Sequence, residues 1–280
     1  MVQNIHAHAW DQALHMTDET IQESDISRGF RLDLTTDFDL FMNDSEVFAR
    51  VVVFGMKARK NGFWVPDEYV ADFVKRAPEK LVGFAGCDPN EPGYFETLQY
   101  GNEQLGLAGV KMGPMYAGFD PRDRRLTPVY QYCQSRGLPI LFHSGTTFNR
   151  KARLAETRPW LFDDVAIEFP ELRMVLAHVG HPFCDECLVV IRKHPHVYAD
   201  ISALYYRPWQ FYNTLIAAQE YRVTHKLLFG TDFPFTTGQG SIDGLHNANH
   251  IIAQSGLPQV TADTIDGILE RDAFALLGLS

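Results

Sequence analysis

Long apolar runs are missing from this chain, and so is any block of Lys and Arg. No stretch approaches the ~18 consecutive apolar residues that mark a membrane-spanning helix, so none is expected. The opening residues Met-Val-Gln-Asn-Ile-His carry neither the basic nor the apolar segment of a secretory signal, and no signal peptide is predicted. Cysteine is scarce, at four in 280 residues, which excludes a disulfide scaffold and makes a reducing cytoplasm the expected setting. The formal charge of −10, with no basic stripe, argues against a nucleic-acid backbone as partner. A local basic pocket for a small anionic substrate is not excluded by that balance.

Present instead is a chain long enough to bury a large core without staples, which leaves any metal site free to serve chemistry. Short aliphatic runs recur along it. Strands are predicted near Val2–Ala9, Ala49–Phe54, Leu81–Ala85, Gly109–Met112, Ile140–His143, Met174–Ala177, Val197–Asp200 and Lys226–Gly230. Val51-Val52-Val53-Phe54 and Leu138-Pro139-Ile140-Leu141-Phe142 are nearly continuous apolar runs, the pattern of parallel strands buried on both faces.

Helical periodicity fills the gaps. Asp67–Ala77 places Tyr69, Val70, Phe73 and Val74 on one face. Leu126–Ser135 contains Thr127-Pro128, read as a cap followed by proline at the first helical position, and Ala262–Leu277 carries one long apolar stripe. Eight β-then-α repeats predict an α/β fold, a single (β/α)8 TIM barrel over residues 1–280. The first connection, Trp10 to Phe48, is too long for a bare loop and is expected to form a small insertion or lid over the barrel mouth.

The chemistry starts at His6-Ala7-His8. Alternate strand residues point the same way, so the two imidazoles can meet on one metal, although the pair alone is a weak signal. His143 ends a predicted strand before Ser144-Gly145-Thr146, His178 ends another before Val179-Gly180-His181-Pro182, and Asp232 follows a third within Gly230-Thr231-Asp232-Phe233-Pro234. Each lies at the strand end where barrels of this kind place their active sites. Any one of them could be a satisfied structural residue; the coincidence of all of them on strands one, five, six and eight is the argument for a site.

The order His-x-His, Phe-His-Ser-Gly, Ala-His-Val-Gly-His-Pro and Phe-Gly-Thr-Asp-Phe-Pro resembles the amidohydrolase superfamily. It is similar above all to the subset with aminocarboxymuconate-semialdehyde decarboxylase, resorcylate decarboxylases and lactonases. Gly109-Val110-Lys111-Met112 and Gly118-Phe119-Asp120-Pro121 also look like segments of that subset. The resemblance implies one divalent metal, most often zinc, held by His6, His8, His143 and Asp232, with His178 as a catalytic residue or extra ligand. Many superfamily members carry a carboxylated Lys between two metals, and Lys111 falls on the fourth strand; a single metal is the favoured expectation.

Arg122, Arg124 and Arg125 follow the fourth strand and could bind a substrate carboxylate, although solvated loop charges are the plainer reading. Arg122 and Arg125, with Tyr116, His181 and Trp10, form the candidate substrate contacts. Cys184-x-x-Cys187 lacks a second pair and points to helix packing rather than zinc or redox chemistry. The leading expectation is hydrolysis of a small lactone, ester or amide, anionic ones included, by metal-activated water, with Asp232 moving the proton. Non-oxidative decarboxylation on the same residues is the alternative, and a barrel that binds without catalysis is a third reading. Homo-oligomerisation is left open.

Overall fold

The computed structural model describes residues 1–279. Eight parallel strands follow one another around a nearly closed barrel: β1 (Val2–His8), β2 (Phe48–Phe54), β3 (Leu81–Gly86), β4 (Gly109–Met112), β5 (Ile140–Phe142), β6 (Met174–Leu176), β7 (Val197–Asp200) and β8 (Leu227–Leu228). All eight predicted strands are found. The last is shorter than expected because residues beyond Leu228 leave the ladder with β7 and turn to β1. Ile5 N donates to Phe229 O at 3.0 Å, Asp232 N to His6 O at 2.8 Å and His8 N to Phe233 O at 2.9 Å. This seam joins the first strand to the last. Gly230 permits it, since a Cβ there would lie 2.7 Å from the His6 Cβ.

Alternation along the strands builds two cores. Val52, Phe54, Phe84, Leu141, Val175 and Leu228 pack together in one cluster, closed off by Phe274 and Leu277 near the C-terminus. Their neighbours Val51, Val53, Ile140, Phe142, Met174, Leu176 and Leu227 belong to a larger cluster shared with the surrounding helices. Each strand thus buries both faces, which is why its sequence reads as a continuous apolar run.

Three details differ from the periodicity. Thr127 already has helical dihedrals in the helix Thr127–Arg136 and makes no capping bond; Asp123 caps the preceding turn by accepting Arg125 N–H. The C-terminal stripe is two helices, Ala262–Leu269 and Ala273–Leu277, because Asp272 stops the run and caps the second by accepting Ala275 N–H. The long first connection holds helices Gln12–His15, Asp18–Arg28 and Phe38–Asp44, capped by Asp11, Thr17 and Asp37. It is fastened to the turn of a small hairpin, Lys57–Ala58 with Phe63–Trp64, through Thr17 N to Gly62 O at 3.0 Å and Thr20 Oγ1 to Asn61 O at 2.7 Å. Ser27, Arg28 and Phe30 from this connection line a cavity with His178 and Asp232, so the insertion forms part of a wall, and nothing in the fold marks it as a lid. No helix among the described residues is long and apolar enough to cross a membrane.

Candidate metal centre at the strand ends

The inward register of the barrel brings a set of buried polar side chains to the C-terminal ends of the strands. His6 and His8 leave β1, Lys111 sits on β4 between the outward-facing Val110 and Met112, and Asp200 ends β7 two residues after the inward-facing Tyr198. His178 and Asp232 leave β6 and β8 with positive φ, 57° and 67°. A non-glycine residue in that region costs of order 1 kcal/mol or more, a local strain that persists where surrounding structure enforces it. It turns both side chains out of the sheet register into the cavity.

His6 is the hub. Its Nδ1 lies 2.9 Å from Asp200 Oδ2 and its Nε2 lies 3.1 Å from Asp232 Oδ1. His8 Nε2 is also 3.1 Å from Asp232 Oδ1. One ligand atom each of His6, His178 and Asp232 lies within 4.8 Å of the others. The closest-gathered donor group therefore contains His178, which the sequence pattern left between catalytic residue and ligand. His143 stands beside it with ring centroids 5.1 Å apart, and its Nε2 faces Thr146 O at 3.2 Å. Gly145 lets this loop close, as a Cβ there would meet His181 O at 2.3 Å and its φ is 108°.

Asp200 organises the floor. Its Oδ1 accepts the backbone N–H of His178 at 3.1 Å, the N–H of Ser202 at 3.0 Å, and the Ser202 hydroxyl. His178 Nδ1 in turn faces Ser202 Oγ at 2.8 Å and Ser202 O at 3.2 Å. A carbonyl can only accept, so Nδ1 carries the proton and Nε2 keeps its lone pair. His178 can then ligate or accept a proton through Nε2; it cannot donate from that atom to polarise a carbonyl while in this tautomer.

Burial sets the charge states. It pushes His8 down to about 3 and His178 down to about 4, the second partly offset by Asp232. It drives His143 well below its usual value, helped by repulsion from His178 and Lys111. For His6, burial and Lys111 act downward, but Asp200 and Asp232 outweigh them and its pKa is raised. Burial would also raise Asp232, yet the surrounding His178, His6 and His8 hold it well below the usual carboxylate range. Neutral His8, His143 and His178 around an ionised Asp232 have the protonation states a divalent cation requires of its ligands, whereas His6, with its raised pKa, would give up a proton to a cation. A carboxylate on the second nitrogen of His6 is the outer support such ligands normally have, and His8 Nδ1 is buried with no hydrogen-bond partner. The residues present fit a metal.

Lys111 Nζ is buried without a hydrogen-bond partner, 4.4 Å from the Phe54 ring centroid. Burial brings it down to about 8, against the pull of Asp200 and Asp232.

A cavity of about 600 Å³ opens above this floor. Tyr116 and His181 line it. Trp10 does not line it; it stacks on His8 at 3.8 Å with an 8° interplanar angle and holds that ring from behind. Arg122 and Arg125 are not brought to the cavity either. Arg122 is bound to Asp120 and Asp164, and Arg125 to Asp123 and Pro89 O, at an exposed corner. Adjacent acids in the same loop neutralise them. Cys184 and Cys187 are free thiols on the first turn of the helix Cys184–Lys193, with Cys187 buried in the core. Sequence reasoning passed over Asp200 and Ser202. Asp200 met the criterion applied to the other strand ends, a charged residue closing an apolar run, whereas nothing about Ser202 distinguishes it from other loop serines.

The amidohydrolase family model matches residues 4–279, nearly the whole chain. The chain belongs to the amidohydrolase family. This family is metal-dependent and includes both hydrolases and decarboxylases, in keeping with the donor cluster at the strand ends. No curated protein sequence matches significantly. Among solved structures, the family fold recurs in an uncharacterized TIM-barrel protein, Bb4693, from Bordetella bronchiseptica, at 20% identity and TM-score 0.77, covering 99% of this chain and 98% of that one. A probable 2-pyrone-4,6-dicarboxylic acid hydrolase from Acinetobacter baumannii, solved with citric acid bound, is 14% identical with TM-score 0.69 and 99% coverage of both chains. The 5-carboxyvanillate decarboxylase of Sphingomonas paucimobilis is 13% identical with TM-score 0.69, covering 100% of this chain and 99% of that one.

Proposed function

We propose that this protein is a metal-dependent hydrolase that opens a small lactone, ester or amide. The observation that carries the reading is the convergence of His6, His178 and Asp232 within 4.8 Å at the floor of an open cavity. Those three would hold one divalent cation, with His8 and His143 the remaining imidazoles of the cluster; imidazoles with one carboxylate suit zinc. When bound, the cation supplies Lewis acidity, acidifying water and polarising a substrate oxygen.

The chain's own residues do the rest. Asp232 is kept ionised and is the group able to take a proton from an attacking water and return it to the leaving group. Asp200 holds the His6 ring through Nδ1 and the His178 backbone through N–H, so both imidazoles are oriented before substrate arrives. Ser202 keeps the proton of His178 on Nδ1. Tyr116 and His181 flank the substrate space. His181 is pushed down to about 4 by burial and by Arg207, so it stands neutral there.

Decarboxylation is the second reading. It is supported by the likeness to a decarboxylase at the same TM-score as to a pyrone hydrolase. In it a cation held by the same residues would supply Lewis acidity to the substrate acid, and Asp232 or His178 would manage the proton at carbon. Protein purified without added metal, analysed for bound metal and assayed on lactones and esters against hydroxybenzoates and muconate semialdehydes, tests both. Metal-dependent ring opening or ester cleavage without CO2 release supports hydrolysis. CO2 release alone overturns it in favour of the second reading, and a metal-free, chelator-insensitive protein overturns both.

A further inference from the structure

Asp232 is the one carboxylate that lines the cavity among the described residues, whereas two guanidinium groups, Arg28 and Arg207, face it. Among the described residues neither has a carboxylate partner within salt-bridge distance. Arg28 Nε donates to Ser24 Oγ at 3.3 Å and its guanidinium lies 4.6 Å from the Phe235 ring centroid. Arg207 Nη1 donates to Ala203 O at 2.5 Å and its guanidinium lies 4.4 Å from the Tyr206 ring centroid. Both therefore keep donors uncommitted and are steadied by an aromatic face, a favourable setting for binding a carboxylate.

Away from the cavity, some arginines, such as Arg173 and Arg271, donate to backbone carbonyls. Arg59, Arg76, Arg122, Arg124, Arg125, Arg136, Arg153 and Arg158 all pair with acids. In a chain of formal charge −10, two unneutralised arginines lining one cavity focus positive potential where a small molecule enters. The remaining wall is aromatic, with Phe30, Phe148, Tyr206 and Phe235. Arg28 comes from the long first connection and Arg207 from the loop after β7, while the floor of His6, His178 and Asp232 comes from strand ends.

We infer that Arg28 and Arg207 form an anion subsite on the cavity wall, and that the substrate is a flat organic acid carrying an anionic group in addition to the group that reacts at His6 and Asp232. The inference rests on the proposed hydrolase reading for which end of the substrate reacts, but the subsite itself does not depend on the reaction.

The test is a calorimetric titration of isophthalate, its monomethyl ester and benzoate into the as-purified protein, repeated after a chelator. Isophthalate should bind about tenfold or more tighter than either monoacid, with weakening at high salt. Arg28→Gln and Arg207→Gln should each remove most of that preference, while Arg122→Gln leaves it unchanged. Melting curves verify that the variants are folded, and Arg28→Lys and Arg207→Lys, which keep the charge, should retain part of the preference. Equal affinity for the diacid and the monoacids overturns the inference, as does no isophthalate binding at millimolar concentration or wild-type binding in both Gln variants. If instead the hydrolase reading fails, lactones and esters go unturned while isophthalate binding still weakens in both Gln variants.

Discussion

The corner after β4 and the floor of the cavity are both dense in charge, and they handle it in opposite ways. At the corner, Arg122, Arg124 and Arg125 meet Asp120 and Asp123 of their own loop and Asp164 and Glu168 of the helix Leu161–Glu168, all at the surface. Water screens these pairs, and none depends on the barrel being closed. At the floor, His6, Asp200 and Asp232 come from strands about two hundred residues apart and are buried together. Nothing but the ring of strands assembles them. Charge that is satisfied locally has no work left to do for a ligand, whereas charge gathered by topology is held at a point where a ligand can use it.

Four substitutions or conditions would break or sharpen that contrast. The largest effect is expected at the floor: Asp232→Asn should lower turnover by about a thousandfold or more while circular dichroism and melting show the fold retained. Wild-type-like rates in that variant would place the chemistry elsewhere. Asp200→Asn removes the support of His6 and His178 without removing a donor from the cluster, and should weaken metal retention or activity by about 10–100-fold, read by competition with a chelator.

An intermediate case lies at His15, half-way between surface and floor. Its Nδ1 accepts the Asp11 N–H, and burial lowers its pKa below the usual 6.5 despite Asp11. The unfolded chain then takes up this proton before the folded one as pH falls. The contribution to stability is present above about pH 6.5 and is lost as pH drops through that value toward the lower folded pKa. Protection factors in residues 12–28, taken after correction for the intrinsic pH dependence of amide exchange, should fall from pH 7 to 5.5, and His15→Gln should flatten that dependence; protection that rises instead contradicts the sign. The smallest effect is expected at the corner, where Arg122→Ala should change stability by less than about 1 kcal/mol and leave kcat/KM within twofold.

The barrel was legible in the chain because strands buried on both faces write themselves as apolar runs, and all eight stand where those runs are. His6, His8, His143, His178 and Asp232 were legible for a related reason: each interrupts such a run at the end that faces the cavity. Asp200 was readable on the same ground. Arg28, Arg207 and Ser202 were not, since loop direction depends on tertiary contacts such as Thr20 to Asn61 that no local pattern encodes. The same blindness suggested Arg122 and Arg125 as substrate contacts, where neighbouring acids had already claimed them. The stripe from Ala262 to Leu277 misled differently: apolar spacing carried through Glu270–Asp272 although a capping aspartate ends one helix and begins the next.

The seam between β1 and the segment after Leu228 has a further consequence. His6 gives its carbonyl to Asp232 N–H and its Nε2 to the Asp232 side chain, so backbone closure and the donor cluster are the same event. A ligand clasped by these two residues acts as a rivet across the one joint where the cylinder could spring open. Its occupancy would add RT ln(1 + [L]/Kd) to the free energy of keeping the cylinder shut, and the protein's resistance to heat becomes a gauge of how well that rivet is seated.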